Sequence, residues 1–336
     1  MKISVVTPCF NSEPFIGDAI RSVLAQTHND LECIIVDDAS VDGSKDVVSS
    51  LAESDPRVRP IFLEQNCGAA IARNRGIEAA RGEWITFLDA DDLYEPERLE
   101  RLLELAKITN SVMVVDNQSV RDFPDGPHLF AGFRFLRGAK PIEITQELYF
   151  QQEAYAGAPL LSGHPSLPSG YMKAMIARSW IQDLGVRFNE KFRSGHDGFF
   201  YGELFAYRSR CSGTSYMGYI YRRRTGSLSA SGPQGLRLKG SISSDLIERH
   251  RARLSHSSIA SLTRRQQGFN RFAAMHDIRF AWRDRDFRRA LSVMQTQPDV
   301  GLALVQALQR RIALVFARVA SRIVPTTLKG DSCATY

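Results

Sequence analysis

The stretch FLDADDLYEP, Phe87–Pro96, places three carboxylates, Asp89, Asp91 and Asp92, directly after an apolar run. Side chains two positions apart in an extended segment share one face, so Asp89 and Asp91 should point at the same place. A divalent cation would relieve their repulsion, because Mg²⁺ and Mn²⁺ prefer hard oxygen ligands and are often held by one or two carboxylates together with substrate phosphates. The triplet therefore predicts a metal–diphosphate site. The alternative interpretation of the three carboxylates is a solvated turn and helix cap. This is the only role expected for Asp92.

The segments on both sides of this stretch alternate between strand and helix patterns. Apolar runs at residues 3–7, 31–38, 58–64 and 83–89 predict strands, and a helical pattern follows each of them. Strands that are apolar throughout and alternate with helices indicate a mostly parallel sheet covered on both faces, an α/β fold. Ligands of such sheets bind beyond the carboxyl ends of the strands, so the polar residues found there should converge on one crevice.

The composition and the missing motifs exclude several classes of protein. The chain of 336 residues is 43% apolar and 24% charged and has a net charge of +6, which fits a chain with a sizeable core. The scattered cysteines form no zinc motif, and the N-terminal apolar run is too short for a signal peptide, so we expect a cytoplasmic protein. Neither G-x-G-x-x-G after the first strand nor a P-loop occurs. A nicotinamide enzyme and a P-loop ATPase are therefore disfavoured.

Three groups of segments carry a family resemblance: residues 4–44, residues 66–99, and FRSGHDGFF (192–200) with YRRRTGSLS (221–229). With these segments the sequence resembles an inverting family 2 glycosyltransferase of the GT-A fold. The resemblance spans residues 3 to about 229. It implies a Rossmann-like nucleotide-diphospho-sugar transferase fold, with a mostly parallel central sheet and a helical C-terminal extension.

The resemblance also implies roles for individual residues. Asp197 falls where the family places its catalytic base, and Asp91 where it places the ligand of a metal bridging the diphosphate. Asp89 would face the ribose and belongs, with Asp91, to the expected site for Mn²⁺ or Mg²⁺. The expected nucleotide-binding set is Pro8, Phe10, Asn11, Asp38, Arg73, Asp89, Ala90, Asp91, Arg222 and Arg224.

Two positions depart from the family pattern. His196 stands where the family often has glutamate before the base, and Arg224 stands at the place of a common histidine, where a guanidinium can still grip phosphate. Other interpretations stay open for several residues. Asp197 could cap the helix that follows it, and the arginines at 222–224 could be a solvated cluster. Arg73 and Asn74 could pair with Asp38, bind the nucleotide or face water.

The sequence thus predicts an enzyme that moves a sugar from a nucleotide-sugar to a hydroxyl of a glycan or lipid-linked glycan, in surface or exopolysaccharide assembly. A UDP-sugar is the preferred candidate for the donor. The alternatives are a catalytically silent nucleotide-binding homologue and a sugar nucleotidyltransferase. No nucleic-acid partner is expected. Residues 1–117 would form the nucleotide-sugar-binding half, 118–235 the acceptor and catalytic-base half, and 236–336 a basic helical region.

The C-terminal region contains an amphipathic helix pattern at residues 301–324. Its apolar stripe is bordered by Arg311, Arg318 and Arg322. Such a helix suits the cytoplasmic surface of an anionic membrane, where the protein would bind peripherally. A stripe that packs on the catalytic domain explains the same pattern, and the sequence leaves both interpretations open.

Overall fold

The computed structural model describes residues 1–122, 128–129, 136, 138, 140–155, 172–192, 194–223, 233–296 and 300. The chain divides into two compact units, Met1–Asn270 and Arg271–Tyr336. The two halves expected at 1–117 and 118–235 fall within the first unit. The functional boundaries expected from the sequence, including the one at residue 236, stay predictions.

Strands and helices alternate along the first unit, as the sequence predicts for an α/β fold. In chain order the elements are β1 (Ile3–Cys9), α1 (Glu13–Leu24), β2 (Leu31–Asp37), α2 (Ser44–Ser54), β3 (Val58–Phe62), α3 (Ala69–Ala79), β4 (Trp84–Phe87), β5 (Leu93–Tyr94), α4 (Arg98–Thr109), β6 (Met113–Asp122), β7 (His128–Leu129), β8 (Ile142–Glu143), α5 (Gln146–Tyr155), β9 (Met175–Ala177), α6 (Arg178–Leu184), α7 (His196–Ala206), β10 (Cys211–Arg223), α8 (Pro233–His250), α9 (His256–Arg283) and α10 (Phe287–Thr296).

One mixed sheet organises the first unit, in the order β3-β2-β1-β4-β9-β6-β10-β5, with β7 paired to β6 and β8 to β10. The longest pairings are parallel: β1 with β2, β2 with β3, and β6 with β10. The short strand β9 runs antiparallel to both β4 and β6 and joins the two halves of the sheet. The expectation of a mostly parallel central sheet is confirmed, with short antiparallel strands added to it.

Apolar side chains cover both faces of this sheet. Val5 of β1 packs in the same core as Ile20 of α1. Its neighbour Val6 points to the opposite face and belongs to the core that contains Ile77 of α3. Because successive side chains of a strand point to opposite faces, a continuous apolar run such as β1 fits only a sheet that is buried on both sides.

A buried ion pair ties α4 to the sheet. Arg98 and Asp116 are both fully buried, and their two-point contact has Nε–Oδ2 and Nη2–Oδ1 distances of 2.8 Å. The Arg98 Nη2 atom also donates to the Lys173 carbonyl at 2.6 Å, and its guanidinium lies 4.2 Å from the centre of the Tyr94 ring. Arg98 therefore fixes the backbone at Lys173, just before β9.

None of the helices in the described ranges combines the length and the apolar character needed to span a bilayer. The amphipathic pattern at 301–324 lies outside the described residues.

We predict that Arg98→Met lowers the free energy of unfolding by about 3–5 kcal/mol, because the Asp116 carboxyl is left buried without its partner. Urea denaturation measures the change. The matched control is Arg75→Ala. Arg75 forms an ion pair with Glu78 in which both side chains are exposed, and this pair should contribute no more than about 1 kcal/mol. Equal losses in the two variants would contradict the structural role of the buried pair.

Candidate active site

The three carboxylates after β4 lie in a tight turn. The Asp92 amide donates to the Asp89 carbonyl at 3.0 Å, so these residues form a turn and not the extended segment that the sequence predicts. The turn sends the side chains in different directions. Asp89 and Asp91 stay partly exposed, and Asp92 is completely buried.

Two cations join Asp89 to Asp197, the expected catalytic base. Arg73 of α3 lies 2.6 Å from Oδ1 of Asp89 and 3.7 Å from Oδ1 of Asp197. Lys173, just before β9, lies 2.9 Å from Oδ2 of Asp89 and 3.4 Å from Oδ2 of Asp197. Residues that are far apart in the sequence thus form one cluster of two cations and two carboxylates, which we call the four-charge cluster.

The cations lie at the base of the four-charge cluster and the carboxylates at its open side. The side chains of Arg73 and Lys173 are each 5% exposed, while those of Asp89 and Asp197 are 28% and 23% exposed. A molecule that enters from solvent therefore meets the carboxylates first.

The cluster keeps all four groups ionised. Burial raises the pKa of Asp89, but Lys173 and Arg73 outweigh this effect and hold it well below its usual range. Burial likewise raises the pKa of Asp197, and Arg73 and Lys173 again prevail and lower it. Burial lowers the pKa of Lys173, but Asp197 and Asp89 raise it overall. Asp197 is therefore a carboxylate at neutral pH.

Asp197 lies in the first turn of α7 and does not cap it. The N-cap residue is Gly195, with φ of 80°, and it makes no side-chain cap hydrogen bond. The helix N-terminus favours a nearby negative charge, which adds to the effect of the two cations. Asp197 is therefore not a helix cap. It forms ion pairs with Arg73 and Lys173.

His196 is a neutral neighbour of the four-charge cluster. Its Nε2 atom accepts a hydrogen bond from Nη1 of Arg73 at 2.6 Å, and its Nδ1 atom is buried with no hydrogen-bond partner among the described residues. Burial lowers the pKa of His196. The negative charge of Asp197 raises it, but burial and the positive charge of Arg73 together outweigh that effect. A glutamate at this position would add a third negative charge beside two cations.

Asp92 is structural. Its carboxyl accepts from the Tyr219 hydroxyl at 2.5 Å and from the Arg222 amide at 2.8 Å. Burial, followed by the charges of Asp91 and Asp89, raises the pKa of Asp92 well above its ordinary value. The Tyr219 hydroxyl also accepts from the Asp89 amide at 3.2 Å, so β10 holds both ends of the turn.

Arg222 also supports this turn. Its Nε atom donates to the Asp91 carbonyl, and its Nη2 atom donates to the Phe15 carbonyl at 3.3 Å. Its Nη1 atom lies 3.4 Å from Asp18. The buried guanidinium thus joins α1 to the carboxylate turn. Its expected contact with phosphate stays a prediction, and Arg224 lies outside the described residues.

The remaining expected nucleotide contacts lie at the ends of β1 and β2. Asp38 is buried and accepts from the amides of Cys67 and Gly68, both at 2.7 Å, just before α3. Asn11 has a left-handed φ of 46° and accepts from the Val41 amide at 2.9 Å. These bonds shape the loops around two further members of the set, the partly buried Pro8 and the exposed Phe10, whereas Ala90 is buried.

Asn74 positions the segment that leads to Asp197. It exchanges two hydrogen bonds of 2.9 Å with the backbone of Phe188. The Phe188 ring stacks on Phe200 of α7 with 4.1 Å between ring centres and lies 5.4 Å from the Arg73 guanidinium. Neither Arg73 nor Asn74 faces water, and neither pairs with Asp38.

Lys173 is the site residue that the sequence analysis missed. It is a single lysine in the segment MKAM, between a stretch rich in glycine and proline and a three-residue strand. No spacing rule distinguishes it from the other lysines. Only its distances to Asp89 and Asp197 in the folded chain show that its side chain points into the cluster.

The described residues contain no group of three or more metal-ligating side chains that could hold a metal ion. Both carboxylate oxygens of Asp89 face cations, which makes Asp89 a poor metal ligand in this arrangement. Asp91 supplies one hard oxygen ligand at the same turn. This donor set fits a cation held by one carboxylate and by substrate phosphates, not one enclosed by the protein.

We predict that Lys173→Met lowers the free energy of unfolding by about 3 kcal/mol at neutral pH, because two partly buried carboxylates then share one cation. Their depressed pKa values contribute stability that is present above the ordinary carboxyl pKa of about 4 and is lost as the pH falls through the folded-state values. The difference between the variant and the wild type should therefore stay nearly constant from about pH 7 to about pH 4 and shrink as the pH falls further.

Urea denaturation at several pH values measures this difference, and Lys173→Arg, which keeps a cation, is the control. A loss that does not change with pH would show that Lys173 stabilises the fold by packing alone.

This chain is similar in sequence to a named bacterial protein. The succinoglycan biosynthesis protein ExoO of Rhizobium meliloti is 36% identical over 229 residues, which are 68% of this chain and 62% of that protein. The chain thus spans less than two thirds of the length of this relative.

Two solved structures share the fold. S. aureus TarS 1-349 in complex with UDP-GlcNAc matches with a TM-score of 0.60 at 17% identity, over 89% of this chain and 92% of that one. The mannosyltransferase PcManGT from Pyrobaculum calidifontis, in complex with GDP-Man and Mn²⁺, matches with a TM-score of 0.52 at 14% identity, over 93% and 80%. At these identities the likeness concerns the fold, which is GT-A. Residues 4–154 match the family model described as glycosyl transferase family 2, and this part of the chain belongs to that family.

Proposed function

We propose that this protein transfers a sugar from a nucleotide-sugar to a hydroxyl group of a glycan or lipid-linked glycan, with inversion at the anomeric carbon. The preferred candidate for the donor is a UDP-sugar. The observation that carries the proposal is the four-charge cluster, which holds the expected base Asp197 close to Asp89 of the carboxylate turn. One displacement needs one base for the acceptor and one stabilised diphosphate leaving group, and this cleft offers residues for both.

Asp197 is the proposed general base. As a carboxylate at neutral pH it can accept the proton of the acceptor hydroxyl during attack. A low pKa makes a carboxylate a weak base while both cations face it. A bound diphosphate would compete for Arg73 and Lys173, so the proton affinity of Asp197 would rise when the donor is in place.

Arg73 and Lys173 are the proposed partners of the diphosphate. Buried cations with little access to water interact strongly with charge that develops on a leaving group, because the surroundings screen them weakly. Their carboxylate partners balance the two positive charges. The same cations therefore stabilise the free protein and are ready to bind phosphate.

The base and ribose would bind at the ends of β1 and β2. Phe10 is 47% exposed and Val41 is 88% exposed, although both are apolar. An aromatic ring and an aliphatic side chain held on ordered loops suit the flat faces of a nucleobase. The family resemblance implies that Asp38, directly after β2, would accept a hydrogen bond from uracil.

A Mn²⁺ or Mg²⁺ ion would bind at Asp91, in the form of a metal–diphosphate complex. When bound, the ion neutralises charge on the diphosphate and so favours its departure. Asp91 would orient this complex, and Arg222 would keep the Asp91 backbone in place through its hydrogen bond. In PcManGT, the solved complex contains GDP-Man and Mn²⁺.

The biological setting proposed is the assembly of a surface or secreted polysaccharide on the cytoplasmic side of the membrane. The relative ExoO is named for succinoglycan biosynthesis, which supports a glycan acceptor. The sequence pattern at 301–324 fits peripheral binding to that membrane surface.

We predict that Asp197→Asn lowers the transfer rate by about 10²–10⁴-fold, the usual contribution of a general base, and does not weaken UDP binding. Release of UDP from a panel of UDP-sugars, with a mixed glycan acceptor extract, measures the rate. Calorimetry measures the affinity. The control is Asp183→Asn, an exposed carboxylate on α6. Full activity of Asp197→Asn would remove this residue from the catalytic role.

The same calorimetry tests the metal. Asp91→Ala should weaken UDP binding in the presence of Mn²⁺ by about tenfold or more, the scale of one lost charge-assisted contact, and should have little effect with EDTA. Metal-dependent binding of UDP without transfer from any donor would favour the silent homologue. The neutral His196 beside the base is the feature that agrees with that alternative.

A further inference from the structure

The second unit exposes a cluster of large apolar side chains where α9 ends and α10 begins. Trp282 is 58% exposed, Phe287 is 57% exposed and Leu291 is 53% exposed. The Trp282 and Phe287 rings touch edge to face with 5.3 Å between their centres. Leu291 follows Phe287 by four positions and so lies on the same face of α10. We call these three residues the apolar corner.

The apolar corner is separate from the core of its unit. That core contains Ala274, Ile278 and Ala281 of α9, together with Ala290 of α10 and Val300, all of them buried. The corner residues extend away from these small side chains. Burial within the described part of the unit therefore does not explain why three large apolar groups occur together.

Arginines surround the apolar corner. Residues 279–291 contain two aspartates and five arginines, all exposed: Arg279, Arg283, Arg285, Arg288 and Arg289. Asp284 lies 3.1 Å from Arg283, and the Asp286 carboxylate accepts the Arg289 amide at the start of α10. The aspartates thus have local roles, and the surface as a whole is positively charged.

This combination decides what kind of partner fits. Tryptophan and phenylalanine beside exposed arginines suit the headgroup region of a bilayer, where apolar rings enter the acyl boundary and guanidinium groups meet lipid phosphates. The apolar stretch at 301–324 also carries Arg311, Arg318 and Arg322. An anionic surface attracts the arginines of both segments.

We propose that the apolar corner and its arginines bind membranes that contain anionic lipids. This inference does not depend on the transfer reaction, because it uses only residues of the second unit.

The test uses the full-length protein and vesicles of phosphatidylcholine, with or without phosphatidylglycerol. Co-sedimentation should show binding to the anionic vesicles and little binding to the neutral ones. The chain has three tryptophans, and Trp84 and Trp180 are less exposed than Trp282. Anionic vesicles should therefore shift tryptophan emission to the blue. Trp282→Phe should lose that shift and keep most of the binding, because it retains an aromatic ring.

Two variants separate the apolar and the electrostatic contributions. Phe287→Ser should weaken binding by about tenfold or more, the effect of one large apolar side chain that is no longer buried. Arg285→Ala with Arg288→Ala should weaken it by about fivefold for each arginine, and added salt should reduce the difference. The control is Ile108→Ser, an isoleucine that is 69% exposed on α4 of the first unit. These positions are exposed, so the variants should fold normally, which circular dichroism verifies.

Three results would overturn the proposal. The first is equal binding of wild type, Phe287→Ser and the double arginine variant, which would place the lipid contact elsewhere. The second is a failure of the wild type to bind anionic vesicles. The third is Trp282 emission that is already blue-shifted and protected from acrylamide without vesicles, which would show that the protein itself or a second copy covers the corner.

Discussion

The arrangement of Arg73 and Lys173 between Asp89 and Asp197 is the interaction on which the rest of the site depends. Each cation faces both carboxylates, so the loss of one charge leaves the other three unbalanced in a poorly solvated place. Such clusters add little net stability compared with apolar packing, but removing one member is costly. The cluster is therefore better explained by function than by stability, and it fits a substrate that brings negative charge of its own.

The surrounding fold holds the four-charge cluster in place through backbone contacts. Arg98 fixes the carbonyl of Lys173, and Asn74 fixes the backbone of Phe188 before the loop to α7. Tyr219 of β10 holds the turn that contains Asp89. These contacts come from helices and strands on both sides of the short strand β9. Positioning residues of this kind keep charged side chains close to one geometry, as electrostatic catalysis requires.

The sequence predicts the strands β1 to β4 and the helices that follow them well, because β1, β2 and β4 are apolar throughout and turn residues follow them. It also predicts which strand ends carry the site, since the ends of parallel strands share one edge of the sheet. The partners of Arg73 could not be predicted in this way. Contacts between side chains from α3, the β9 segment and α7 depend on tertiary packing, which leaves no periodic pattern in the sequence.

Three residues show why local rules fail at this site. Asp92 looks like a turn residue in the sequence, yet it is buried and bonded to Tyr219 from a strand more than a hundred positions later. Lys173 has no motif, and its importance follows only from the two carboxylates that face it. His196 replaces a common glutamate, and its low pKa keeps the cluster balanced without a further cation. Each case is a balance of buried charges that only the folded structure reveals.

The most direct measurement of the central claim is a double-mutant cycle on unfolding between Lys173→Met and Asp197→Asn. If the two side chains share one charge cluster, the coupling free energy at neutral pH should be about 1 kcal/mol or more. Either substitution alone already removes the interaction between the two charges, so the second substitution has less left to remove. Additive effects within about 0.5 kcal/mol would contradict the account, since independent sites behave in that way.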